Sequence, residues 1–416
     1  MKMSRLSSAR QRVSTIVMAA ALTPLSVRGQ VDPLGPLGAP RLNLVEVTRV
    51  GGLDERREYA LAQVWGATVL SDGRIAVSDG LSREVRLFDR SGAFLRAIGR
   101  EGDGPGEFRA LREVAALPGD RILAWDIQRG NASIFTDDGE LLSTALIDAD
   151  LLGSMILSFV GATSDGGVVL RSNTNIFAMR SEPEGMRRDS VSFGFFDPTG
   201  RMLGAPVRVE GPERLFYRRD GSWGTERLIF GRELLSGNLN DELLVVHSDS
   251  VLMRRLSPSG RAVPLKLDRP PRPATRADVR EERSARMREV EERGSRPVDR
   301  DSRFPGMDQK RARAELERLR ELEAHATWPA LGDLKVGADG RIWVQDYPDP
   351  RSAVVRWFAM SAGFSPIGWV ELPRTQRILA IRGSTLVTLA RDEWDAESVV
   401  VYAIEGMPPG GDSARH

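Results

Sequence analysis

The chain contains no cysteine. Disulfides, thiolate nucleophiles, cysteine-built zinc sites and a lipid-modified N-terminal cysteine are thereby excluded. Histidine is nearly as scarce. His247, His325 and His416 lie far apart with no HxH or HxxH spacing, so a histidine-built metal centre is not expected. No nucleophile-elbow motif is present to support Ser/His/Asp catalysis. Lysine is confined to Lys2, Lys266, Lys310 and Lys335, so nearly all of the 59 basic residues are arginine. Arginine suits bidentate carboxylate or phosphate contacts, although a biased base composition gives the same excess. No charge of one sign dominates: the formal net charge is +1, and no global field points to nucleic acid. After residue 25 no run is apolar enough to cross a bilayer, which needs about 20 residues, so no transmembrane anchor is expected in the mature chain.

The first 29 residues have the pattern of an export signal. Lys2, Arg5, Arg10 and Arg12 precede the mostly apolar stretch Val13–Leu25, and Ser26-Val27-Arg28-Gly29 supplies small residues near a cleavage point. A Pro/Gly linker over 30–40 follows, and residues 407–416 are expected to be a disordered tail. The predicted destination is the periplasm or the exterior.

Between these ends the chain repeats. A first tight turn precedes an apolar strand at Ser71-Asp72-Gly73, Pro118-Gly119-Asp120, Ser164-Asp165-Gly166, Asn240-Asp241, Ala338-Asp339-Gly340 and Arg382-Gly383-Ser384. A second turn follows an aromatic or aliphatic strand end at Phe88–Gly92, Phe135–Gly139, Phe196–Gly200, Leu256–Gly260 and Phe358–Gly363. Glycine and aspartate serve these turns by allowing positive φ and by bonding local backbone, so Asp72 and Asp339 are read as structural. Two hairpin turns per unit make four strands, which is a propeller blade. Six first turns against five second turns leave the last unit one strand short. Leu42–Val47, an orphan strand near the other terminus, is expected to complete it and remove an open edge. The predicted fold is therefore all-β, a six-bladed β-propeller of four-stranded antiparallel blades over 41–406.

Two stretches interrupt the repeat. Gly211–Glu226 reads as a lengthened link between the third and fourth blades, with Arg227–Leu235 as the fourth blade's inner strand. Residues 269–327 form a charged helical insertion between blades four and five, with segments Thr275–Glu292 and Met307–Ala326. Thr275 and Asp278 suggest a helix cap. Leu316, Leu319 and Leu322 give the second helix an apolar stripe for lying on the propeller.

The run Val85–Asp126 resembles the NHL-type repeat: aromatic-Asp-x-x-Gly, a glycine-rich loop with Pro-Gly-x-Phe, then strand, turn and strand ending in Asp. The whole chain is similar to six-bladed propellers of exported bacterial proteins. Enzymes of that architecture include peptidyl-hydroxyglycine lyases, gluconolactonase-type lactonases and streptogramin lyases. The lyases use clustered histidines, which this chain lacks, whereas a lactonase-like calcium site needs converging acidic and amide residues. Under that reading Asp126 and Asp346 are the metal-ligand candidates, and Ca2+ the cofactor.

The links from strand two to strand three and from blade to blade emerge on one face of such a propeller, where varied loops ride on a rigid scaffold. That face is expected to bind an anionic small ligand, a peptide or a carbohydrate. Arg83, Arg100, Arg129, Asn131, Arg171, Asn173 and Tyr347 are candidates for it, with Tyr217 and Trp223 as an aromatic addition. The expected partner is a protein, peptide or small molecule, and a binding module is expected ahead of the calcium-assisted lactonase or lyase. The glycine-rich stretch Gly99–Phe108 lacks dinucleotide spacing and is read as a blade linker whose Phe108 plugs the core.

Overall fold

The computed structural model describes residues 39–52, 56–173, 183–219, 222–249, 252–258, 262–266, 271–295 and 309–409. The expected export signal, most of the linker and residues 410–416 of the tail lie outside these. Short strands separated by Asp/Gly turns build six antiparallel sheets. The first is Val64–Val69, Ile75–Asp79, Glu84–Phe88 and Phe94–Ile98. The second is Leu111–Ala116, Ile122–Asp126, Asn131–Phe135 and Leu141–Leu146. The fourth runs from Leu234–Leu239 to Ala262–Lys266, and the fifth from Leu331–Val336 to Pro366–Pro373. The innermost strands meet one another in chain order and the sixth returns to the first, so the sheets form a closed ring of six blades.

The turn chemistry explains the hairpins. Asp89 accepts the Ser91 and Ala93 N–H groups at 2.8 and 2.9 Å while Gly92 takes φ +87°. Asp72 and Asp339 accept the N–H groups of Arg74 and Arg341 two residues on, the structural role read from the repeat. Second strands such as Ile75–Asp79 and Ile122–Asp126 are buried at every position because each blade is covered on both sides by its neighbours. Phe108 is fully buried between the first two blades with Val85, Ile98, Leu111 and Phe135. Its burial is worth about 1.5–3 kcal/mol. The glycine-rich loop is thus the inter-blade linker expected of it.

The last blade consists of Arg377–Arg382, Thr385–Arg391 and Glu397–Glu405, closed by Asn43–Gly51. The closing strand runs from Asn43↔Glu405 to Gly51↔Ser398, with a bulge between Glu46 and Thr48. It is longer than Leu42–Val47, because Val50 reaches the core shared by the last and first blades beside Val64 and Val399.

Two boundaries differ from the sequence reading. Gly211–Glu226 is not a link: Val207–Arg219 and Ser222–Glu226 extend the third blade to five strands, behind Leu157–Ala162, Val168–Ser172 and Gly185–Phe196. The fourth blade's inner strand starts at Leu234 rather than Arg227. Leu228, Ile229 and Phe230 are apolar because they are buried under the insertion with Leu319, Leu322 and Trp328.

The insertion folds as helices α1 (Arg276–Ser295) and α2 (Gln309–Glu321). Asp278 N–H bonds the Thr275 hydroxyl, and the Asp278 carboxylate accepts the Thr275 N–H, a reciprocal cap. Leu319 and Leu322 are buried as the stripe predicts, and Leu316 packs partly against the same cluster. Tyr347, from the fifth blade, stands edge-on to Phe230 and Trp328 and donates to Glu282 of α1 at 2.9 Å.

Candidate functional site

Asp126 shows why the loops after second strands and before first strands share a face. One carboxylate oxygen accepts the N–H groups of Gln128 and Arg129, and the other accepts those of Arg109 and Ala110 at the entrance to the blade. Four backbone donors fill a fully buried carboxylate. Asp126 is a staple between two loops and does not fit a calcium ligand. Asp346 ends the corresponding strand of the fifth blade. Among the described residues, no three or more His, Cys, Asp or Glu side chains are grouped to hold a metal.

Most of the predicted ligand residues engage other parts of the protein. Arg83 pairs with Glu101 at 2.6 Å and donates to the Arg109 carbonyl. Arg100 pairs with Glu107 at 2.7 Å, and Arg129 holds the Gly104 and Glu107 carbonyls. Asn131 is buried at the start of a strand with its Oδ1 unpartnered. Arg171 donates to the Leu234 carbonyl of the next blade at 3.1 Å while its Nε has no partner, and burial lowers its guanidinium pKa. Asn173 accepts from Ser158 at 2.8 Å. Arg318 of α2 lies over the Tyr217 ring and Arg218 near Trp223, so the aromatic pair belongs to the extended hairpin and its helix contact. Tyr347 is partly buried against the apolar cluster under the insertion, and desolvation followed by the charge of Glu282 raises its phenol pKa, so it anchors the insertion. These side chains do not converge on one free surface.

A different group does converge. Glu113 lies on the inner strand of the second blade, Lys335 on that of the fifth and Arg377 on that of the sixth. The Glu113 carboxyl feels Lys335 first, then Arg377 and Arg112, although two of these cations belong to blades remote from its own. In a closed ring such groups approach one another only across the central channel. Burial raises the Glu113 carboxyl pKa against the lowering pull of the three cations. Burial likewise depresses Arg112 and Arg377. No described residue donates a hydrogen bond to the Glu113 carboxylate, whereas Lys335 pairs with Asp333 at 3.6 Å.

Local backbone geometry places this cluster. The inner strands of the first and second blades slip register between Val64 and Ala67 and between Leu111 and Glu113. Such bulges re-aim side chains. Gly66 lies in the first slip, and a Cβ there would stand 2.7 Å from Glu113 Oε2 and 3.2 Å from its Cα. Only glycine lets the two strands close around that carboxylate. Arg112 stacks 3.5 Å from the centroid of the Trp65 ring, which is 37 % exposed. Arg377 donates to the Val64 and Trp65 carbonyls at 3.1 and 3.2 Å, fastening the sixth blade to the first. As the first residue of its strand, Arg377 marks the end of the channel beside the varied loops.

A family described as a 6-bladed beta-propeller matches residues 60–139, the first blade and most of the second. Among solved structures, the chain resembles a Bacteroides fragilis protein thought to be exported, at 11 % identity and TM-score 0.45, covering 88 % of this chain and 95 % of that one. A Bacteroides vulgatus protein matches at 9 % identity and TM-score 0.47, covering 88 % and 99 %. Virginiamycin B lyase from Staphylococcus aureus matches at 10 % identity and TM-score 0.38, covering 86 % and 98 %. No curated protein matches at a significant level. At these scores the likenesses carry no argument about activity, and the architecture rests on the strand ladders.

Proposed function

We propose, starting from a closed six-bladed β-propeller, that this chain is an exported binding protein for a small carboxylate-bearing ligand held in its central channel. One observation carries the reading: Arg112, Lys335 and Arg377, from three blades, all act on the Glu113 carboxyl in a partly desolvated channel, with Asp333 beside Lys335 as the second acid of the cluster. Guanidinium and ammonium groups in such a setting gain more from a bound anion than they would at the surface. Trp65 under Arg112 supplies an apolar wall for the body of the ligand. The four basic residues at the sequence start, the apolar stretch after them and the small residues near Gly29 support export.

Calorimetry on the full chain tests this with N-acetyl dipeptides carrying a free C-terminal carboxylate or a carboxamide. The carboxylate form is expected to bind and the amide to fail. Arg377→Gln should weaken binding about 10–100-fold, the size of one or two charge-assisted hydrogen bonds. Lys335→Gln, which removes no inter-blade hydrogen bond, should weaken it in the same direction. Equal binding of both forms would remove the carboxylate assignment. A calcium titration in the same cell discriminates against the lactonase or lyase alternative: stoichiometric binding lost in Asp346→Asn would favour that enzyme.

A further inference from the structure

A second charged cavity lies apart from the channel, between the helical insertion and the segment leading into the fourth blade. It has a volume of about 210 Å³ and is lined by Arg227, Arg286, Glu289, Val290, Arg293 and Glu315. That is room for on the order of seven waters at liquid density. The α1 residues Arg286, Glu289, Val290 and Arg293 recur at helical spacing and so share one face. Val290 is buried and forms an apolar floor.

The cations of this cavity are unevenly satisfied. Arg286 donates to the Leu228 carbonyl at 3.0 Å and lies 3.6 Å from Glu226. Arg293 pairs with Glu315 at 2.9 Å, which offsets the charge of that carboxylate, while its own Nε is buried without a partner. Arg227 makes no hydrogen bond to a described residue, and its closest carboxylate, Glu233, is 3.9 Å away. Only 39 % of its side chain is exposed. Burial and then the charge of Arg227 depress the Arg286 guanidinium, so the two cations repel across the half-open cavity; Arg227 itself is lowered by burial but raised overall by Tyr347, Glu233, Glu282 and Glu289. A guanidinium with unfilled donors beside a second one is a cost that an anion between them removes.

We propose that this cavity binds a compact, multiply charged oxyanion of the phosphate class, clamped between Arg227 on the propeller side and Arg286 and Arg293 on α1. Converging planar forks match a tetrahedral oxyanion with several acceptor oxygens better than they match a monoanion. Glu289 is exposed at the rim and weakens the site without lining its floor.

The test is titration calorimetry and thermal melting of the full chain at constant ionic strength, with inorganic phosphate, glycerol 3-phosphate and acetate. Phosphate is expected to bind and to raise the melting temperature, and acetate to do neither. Arg227→Gln should weaken phosphate binding at least about tenfold. Glu289→Gln, a change at an exposed position, should tighten it several-fold. Binding of glycerol 3-phosphate as well would identify a phosphate ester as the ligand, and its refusal would identify the free ion. Absence of phosphate binding at millimolar concentration, equal binding of acetate, or unchanged affinity in both variants would overturn the proposal.

Discussion

Glu113 carries a charge that its surroundings resist, and the direction of its pKa gives a test independent of any ligand. Burial raises the carboxyl pKa in the folded chain. The fold then holds a proton that the unfolded chain has already lost between the ordinary glutamate range and the raised value, so stability falls as pH rises through that interval. Glu113→Gln removes the effect. The variant should melt with wild type in acid and above it at neutral pH; a constant difference across pH would show that Glu113 is not titrating in a desolvated channel. Asp79 and Arg86 are a contrasting case, a pair 3.0 Å apart with side chains 1 % and 5 % exposed. Arg86→Met strands the Asp79 carboxylate, and chemical denaturation should record a loss of about 3–5 kcal/mol. Sequence made the acid at the end of a strand visible but not its bonding. Asp126 looked available because four backbone donors from two loops converge on it only after folding. Glu113 was overlooked because the bulge at Arg112 breaks the alternation that assigns side chains to faces. The available signal was the Arg112-Glu113 pair inside a strand that is otherwise apolar.

At the scale of elements, the features legible in the sequence were those fixed by short-range chemistry. Asp-x-x-Gly turns, the Thr275 cap and the leucine stripe of α2 each depend on residues within a few positions of one another, and each appears where it was expected. Arg227–Phe230 failed as a strand assignment because an apolar run does not say whether a sheet or a helix will cover it. Its cover is the insertion, fastened through Tyr347. Tyr347→Phe loses the hydrogen bond to Glu282 and should cost about 1–3 kcal/mol, while Tyr347→Ala also loses the ring contacts to Phe230 and Trp328 and should cost about 3–5 kcal/mol. Hydrogen exchange should rise first in α1, which has few buried apolar residues of its own. Exchange rising equally in all blades would mean that the insertion and the ring unfold as one unit.

At the scale of the molecule, a propeller is stable only if its last blade meets its first, and here the join uses both ends of the ring. Asn43–Gly51 hydrogen-bonds along Glu397–Glu405, and Glu397 also accepts the Val64 N–H of the first blade at 2.6 Å. Leu42, 4 % exposed, packs against the closely approaching Gly368 and sits in the core between the fifth and sixth blades. Leu42→Ala should therefore cost about 2–5 kcal/mol, a cavity penalty at a position that looks peripheral in the chain. Removing residues through Val47 takes away the Asn43–Glu46 half of the ladder as well and opens the edge of Glu397–Glu405. Such an edge is a template for another chain. The truncated protein should melt well below the full chain and associate in a concentration-dependent way, and a peptide spanning residues 41–52 supplied in trans should reverse both effects. A truncated chain that melts like the intact one and stays dispersed would mean that the strand decorates the last blade without closing the ring.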